Sequence, residues 1–312
     1  MVLNNMNKRG MFFMLLAILL IGIILLSYTF YSQFRERNTI QKRVETLNNF
    51  VFAVEEDLER RLFIAGFRII FLFEEKIIET ANPISNMEDK FNEAFYNGTY
   101  NGEFQNLMLG ATFYDMENVL RAKANKLGAN LSFENPKVEV SQDDPWNVKI
   151  NLSIDFVAED LSGLVKWNKT LVVISYVPVE SFGDPLYVIN TNSLVFSNIS
   201  KSPYSDNFVS GSDASNLLAH LEGSYYIVNT DAPSFLDRIK GINAGNANGI
   251  ESLVNLDDLA SLGIEVEQKS VVDHIYFSSG NPSSCGVIPS GMPSWFELDN
   301  AHLITYQVSC AT

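Results

Sequence analysis

Residues 10–34 carry no charged side chain, and their apolar core runs MFFMLLAILLIGIILLSYTFY from Met11 to Tyr31. A helix rises about 1.5 Å per residue, so about 20 apolar residues cover a hydrocarbon layer about 30 Å thick. The pattern therefore predicts one membrane-crossing helix. From Gln33 to about Thr80 the chain turns amphipathic. Ile40, Val44, Leu47, Val51, Val54 and Leu58 step by alternating fours and threes, while Glu55, Glu56, Asp57, Glu59, Arg60 and Arg61 fall mostly off that seam. Such a seam serves either a helix packed on its own domain or a self-associating stalk. Leu62 to Phe73 is a second apolar stretch, interrupted by Gly66 and Arg68 and followed by Pro83. It is too short to span a bilayer and suits a buried helix.

Two more helices are expected at Ser85–Tyr96 and Glu103–Leu127, with turn chemistry at Asn97-Gly98 and Asn101-Gly102 between them and Gly128 as a C-terminal cap. After Gly128 the period changes. Val148, Ile150, Leu152, Ile154 and Phe156 alternate with Lys149, Asn151, Ser153 and Asp155, the signature of a strand with one buried face. Trp167 to Val177 predicts a second strand joined to it in a hairpin, and Pro136 to Val140 an edge strand. A short strand is expected at Leu186–Ile189. Ser197 to Ser215, rich in Ser, Asn, Asp and Gly, reads as a linker or long surface loop. Beyond it the pattern predicts a helix at Ala214–Leu221, a strand at Ser224–Val228 and a short helix after Ala232-Pro233. A loop at Ile242–Ile250, a helix at Leu256–Leu262 and strands at Val271–Phe277 and Leu303–Val308 follow.

The net charge of −15 argues against nucleic acid as a partner, because phosphates need a basic footprint. It suits an exterior exposed to salt or divalent cations. Two cysteines, Cys285 and Cys310, stand near the end of the chain, as expected for one disulfide in an oxidising compartment. Asn97, Asn130, Asn151, Asn168 and Asn198 each fit the N-x-S/T acceptor pattern, at a frequency that chance alone supplies in so Asn-rich a chain. The basic residues flanking the apolar run do not settle orientation. The layout of a basic tail before a long apolar core, together with the cysteines, places the body outside. Tyr28, Phe30 and Tyr31 read as an interfacial aromatic belt, and the residues after the run offer only a poor site for an ordinary signal peptidase, so the helix is expected to be retained.

No catalytic residue emerges. His220, His274 and His302 form no H-E-x-x-H arrangement, and Asp273-His274 lies in an expected strand, where neighbours face opposite ways. Glu297, Asp299 and His302 lie close enough in sequence to offer metal ligands, but such acidic groupings are common, and neither a metal nor a cofactor is expected. Asp143-Asp144 and Asp257-Asp258 read as turn and helix-start residues. The Gly241–Gly249 loop lacks the residues of a phosphate or calcium loop.

Asn7-Lys8-Arg9-Gly10 followed at once by Met11-Phe12-Phe13-Met14-Leu15-Leu16 resembles the class III signal of archaeal type IV pilin-like proteins. The resemblance covers the N-terminal stretch only. It implies that a prepilin peptidase cuts after Gly10, making Lys8, Arg9, Gly10 and Met11 the processing site and leaving the helix on the mature protein. Many pilins carry Glu at the fifth mature position, where this chain has Leu15; that departure bears on filament assembly and leaves anchoring untouched.

The expectation is an α+β protein. Residues 1–10 form a short cytoplasmic tail, 11–31 a transmembrane helix, 32–130 a helical region, 131–200 an antiparallel β module and 201–312 a C-terminal α+β module with the disulfide. The expected role is a non-enzymatic, pilin-like or pseudopilin-like surface protein with a structural, adhesion or envelope function. Its partners would be the lipid bilayer, a prepilin peptidase, and other pilin-like subunits or a second copy through the 40–58 helix. The alternative is a membrane-tethered binding protein or hydrolase acting on cell-wall glycan or peptide.

Overall fold

The computed structural model describes residues 8–163, 165–280, 282, 284–285 and 291–309. The chain is α+β. Its first element, α1, runs unbroken from Lys8 to Thr80 and joins the apolar segment to the amphipathic one. It is the one helix among the described residues that is long and apolar enough to cross a membrane, and its most apolar window is wholly exposed. Burial begins at Leu47 and continues through Val51, Val54, Leu58, Leu62, Ala65, Ile69, Phe73 and Ile77. The seam residues from Leu47 to Leu58 thus pack on the chain's own body, while Ile40 and Val44 stay exposed.

Two shorter helices, α2 (Met87–Asn97) and α3 (Phe113–Lys126), flank the small hairpin β1 (Thr99–Tyr100) and β2 (Glu103–Phe104). The helix expected over Glu103–Leu127 is therefore only its second half. Asn101 and Gly102 both take positive φ and close the hairpin, and Thr112 with Asp115 forms a reciprocal capping box that starts α3. Gly128 follows α3 at φ +72°, the left-handed position that a helix stop favours.

The main sheet is a meander of β3 (Ala129–Asp144), β4 (Asn147–Asp160) and β5 (Lys166–Pro178), antiparallel in the order β3-β4-β5. β4 alternates as its sequence predicts, with Val148, Ile150, Leu152, Ile154, Phe156 and Ala158 all buried. Helix α1 lies along this inner face. Arg43 reaches Asp160 at the end of β4 (2.8 Å), and Gly66 meets Ile150. The 23 helical residues between those contacts span about 35 Å; the ten strand residues from Ile150 to Asp160 span about 34 Å. Helix and strand therefore run side by side, antiparallel, in step. An aromatic file of Phe91, Phe95, Phe113, Phe133 and Phe156, with successive centroids 5.7–6.4 Å apart, ties α2 and α3 to the same face.

The rest of the chain is built from short elements: α4 (Pro185–Asn190), α5 (Ser215–Glu222), β6 (Tyr226–Val228), α6 (Phe235–Ile239), β7 (Ile250–Ser252), α7 (Leu256–Ser261), α8 (Asp273–Tyr276), β8 (Ser284–Cys285) and β9 (Leu298–Asp299). β6 pairs with β7 and β8 with β9, both antiparallel. Three expected strands are corrected. Leu186–Ile189 is helical because Asp184 caps Leu186 N and Pro185 occupies the first turn. Val271–Phe277 holds α8, and Leu303–Val308 is a chain of turns in which Tyr306 N bonds His302 O. Short apolar runs do not distinguish strand from buried turn by period alone. Two apolar clusters result. One centres on α1 and the sheet and takes in Tyr226, Phe235, Leu236, Ile239 and Ile250. The other gathers Leu217, Leu221, Val254, Val271, Val272, Phe296 and Tyr306.

Candidate functional site

The expected processing site sits at the start of α1. Lys8 and Arg9 are its first residues, and Gly10 and Met11 are exposed on it. Among the described residues α1 has no buried side chain as far as residue 46, and Arg43 reaches the body through Asp160 and Ser162. Twelve residues separate Tyr31 from Arg43, so an upright helix would hold the nearest turn of the body about 18 Å from the end of the apolar segment.

Four of the glycosylation acceptors are exposed: Asn130 and Asn168 on the outward face of β3 and β5, Asn97 at the end of α2 and Asn198 in the loop after α4. Asn151, on the same face of the central strand β4, is half-buried, with its side-chain oxygen buried. Cys285 pairs through its backbone with Leu298 in the β8–β9 ladder. Its side chain and all of Cys310 lie outside the described residues, and so does the expected bridge.

The acidic pairs take local roles. Asp143 pairs with Lys149, and Asp144 accepts from Trp146 N and Asn147 Nδ2 at the β3–β4 turn. Asp257 and Asp258 lie in the first turn of α7, where Asn255 is the cap. A surface groove of about 720 Å³ runs between α1 and β5 and is lined by Ala53, Asp57, Arg60, Phe63, Lys123 and Tyr176. Asp57 lies on its floor among Arg60, Arg61 and Lys123. Burial pushes its carboxyl up, but these three cations outweigh that and hold it well below the usual range.

The densest chemistry is buried where the short elements meet. Arg238 on α6 is fully buried. Its Nη1 lies 2.5 Å from Asp184 Oδ2 and 2.9 Å from Asp273 Oδ2, and its Nη2 donates to Ile250 O. The Tyr226 hydroxyl also donates to Asp184, while Ser252 donates to Asp273 through both N and Oγ. Burial pushes the Asp184 carboxyl up against the pull of Arg238; at Asp273 the guanidinium wins and the carboxyl is depressed. This knot ties α4, α6, β7 and α8 together.

Immediately beside it, Glu251, His274 and His302 converge. Their ligand atoms all lie within 4.8 Å of one another, and all three residues are buried. Glu251 Oε2 is 3.2 Å from His302 Nε2 and 3.9 Å from His274 Nδ1, and accepts from Asn229 Nδ2 at 2.8 Å. His302 Nδ1 lies 2.8 Å from both oxygens of Asp299, itself held by Ser270 Oγ. Burial opposes the charge of His302, but the Asp299 and Glu251 carboxylates outweigh it and hold the imidazole up at about 10. The Glu251 carboxylate thus faces both His302 Nε2 and the buried Tyr306 hydroxyl, but neither contact is a well-aligned hydrogen bond, and Glu251 Oε1 is buried without one.

Two of the three residues grouped near the C-terminus by sequence, Asp299 and His302, stand together here. Glu297, grouped with them by sequence, instead accepts from Gln268 Nε2. Glu251 and His274 take its place from 51 and 28 residues upstream of His302, a separation that no spacing motif captures. The expectation that Asp273 and His274 face apart as strand neighbours also fails. Both are buried on α8, where Asp273 Oδ1 lies 3.4 Å from His274 Nδ1 while Asp273 Oδ2 faces Arg238 and His274 Nδ1 also stands 3.9 Å from Glu251 Oε2.

Comparison of the chain with known protein families, with curated proteins and with solved structures returns no match.

Proposed function

We propose that this is a non-enzymatic surface protein held in the membrane by α1, with residues beyond Ser32 outside the cell, and that it serves a pilin-like or pseudopilin-like structural, adhesive or envelope role. The observation that carries this reading is the division of one continuous helix. Its first part is uncharged and exposed over a bilayer-spanning length, and its second part is buried along a three-stranded sheet. A soluble protein gains nothing from leaving so long an apolar surface bare; a bilayer covers it. The exposed positions of Asn97, Asn130, Asn168 and Asn198 and the acidic body suit the exterior. Lys8-Arg9-Gly10 before the apolar run supports processing by a prepilin peptidase.

Intact-mass and N-terminal analysis of the protein from purified membranes tests this. A mature chain beginning at Met11, recovered with the membrane, is the expected result. A product cut near Ser32 and recovered in the medium would end the reading.

A further inference from the structure

We propose that Glu251, His274 and His302 form a closed binding site for a divalent transition-metal ion of the zinc type, which clasps the C-terminal part of the chain onto the Arg238 knot. The donor set, two imidazoles and a carboxylate, is one that zinc takes. Ligand atoms about 2.1 Å from a tetrahedral ion lie about 3.4 Å apart. Glu251 Oε2 stands 3.2 Å from His302 Nε2 and 3.9 Å from His274 Nδ1, which brackets that value. The second lone pair of that oxygen is occupied by Asn229 Nδ2, so the carboxylate is aimed before any ion arrives.

The surroundings favour an ion over an empty cluster. Buried polar atoms are normally paired. Here His302 Nε2 and Glu251 Oε1 form no well-aligned hydrogen bond, on side chains no more than 3% exposed, and the buried Tyr306 hydroxyl faces the same carboxylate. Four buried carboxylates (Asp184, Asp273, Glu251 and Asp299) face a single guanidinium, Arg238, and the two imidazoles. A divalent cation supplies the missing positive charge where the orphaned atoms are. The Asp299 carboxylate on His302 Nδ1 leaves Nε2 to face the ion, the carboxylate–histidine–metal arrangement that orients metal-binding imidazoles. Three protein ligands leave the fourth tetrahedral position to water; because the ligands are 0–4% exposed, no substrate reaches the ion, and burial makes its role structural. The ligands come from β7, α8 and the turns after β9, so one ion joins three segments spread over more than fifty residues.

The test uses full-length, tag-free protein in detergent, stripped with a chelator and titrated with zinc alone, then with cobalt(II). One zinc per chain with a Kd of about 1 μM or tighter is expected, together with a rise in Tm. E251Q and H302Q should each weaken binding at least about 100-fold, D299N by about 10- to 100-fold, and E297Q not at all. X-ray absorption on the zinc-loaded wild type should show imidazole scattering and no sulfur, a readout that does not depend on any variant folding. A folded protein that takes up no stoichiometric metal, a zinc site with thiolate ligands, or binding unchanged in both E251Q and H302Q would overturn the proposal. The result is independent of where the N-terminus is cut, so this site and the surface role stand or fall separately.

Discussion

Gly66 of α1 lies against Ile150 of β4 so closely that a Cβ on the glycine would sit inside the envelope of Ile150 Cδ1, 3.2 Å from its Cγ1 and 3.4 Å from Val177 Cγ2. A glycine inside a helix costs about 1 kcal/mol of intrinsic propensity relative to alanine. Here its lack of a side chain lets helix and sheet close to contact.

G66A should therefore destabilise the body by a net of up to about 2 kcal/mol, since overpacking costs about 1–3 kcal/mol against a propensity gain of about 1 kcal/mol. I150V removes the atom that blocks the new methyl. Alone it costs about 0.5–1.5 kcal/mol; in the G66A background it should cost less or restore stability. Urea unfolding of the two single variants and the double variant measures the coupling. Simple additivity would mean that the two residues do not share this contact.

Removing residues 1–33 should leave a folded body. No described residue before Leu47 is buried, and the remaining segment keeps Arg43 for its contact with Asp160. The truncated protein is expected to be soluble without detergent, with circular dichroism and Tm close to those of the full chain. Aggregation or loss of the cooperative transition would mean that the apolar segment contributes to the core.

R238M should destabilise by about 3–5 kcal/mol, because it strands Asp184 and Asp273 without their cation in a dry environment. Neutralising all three groups together, as R238M/D184N/D273N, should cost less than R238M alone. Denaturant midpoints report both, and a triple variant weaker than R238M would show that the knot is held by geometry and not by charge balance.

His220 packs among Phe208, Tyr225 and Tyr306, with Nδ1 2.9 Å from Ser202 Oγ, and burial lowers its pKa to about 4. The unfolded chain binds a proton at about pH 6.5, which the folded chain refuses until about pH 4. The stability contribution of the neutral imidazole is thus complete above pH 6.5 and is lost as pH falls toward 4, by about 3 kcal/mol at most. H220Q should flatten the stability profile across that window. A profile unchanged by H220Q would place the acid sensitivity elsewhere.

How much of this is legible in the chain depends on the range of the forces involved. The apolar run of α1 and the alternation of Val148 to Phe156 are local and periodic, and both elements form where those patterns lie. The packing of Leu47 to Leu58 on the body, against the stalk alternative, needs the sheet that arrives nearly a hundred residues later. The turn residues at Asn101-Gly102 and the capping box at Thr112 divide what reads as one long helix. The Arg238 knot and the Glu251–His274–His302 cluster are assembled by tertiary contacts alone. The nearest signal in the chain is the grouping of Glu297, Asp299 and His302, of which the structure brings Asp299 and His302 into contact. Their burial is what separates these residues from the surface acids, and burial at such positions is not written in any period.

Exposure of the body to externally added protease on intact cells tests the central claim most directly. If α1 spans the membrane with the sheet and the C-terminal part outside, an unspecific protease added to unbroken cells should destroy the epitopes of residues 80–309 while a cytoplasmic marker survives. Persistence of those epitopes until the cells are lysed would put the body in the cytosol and contradict the account.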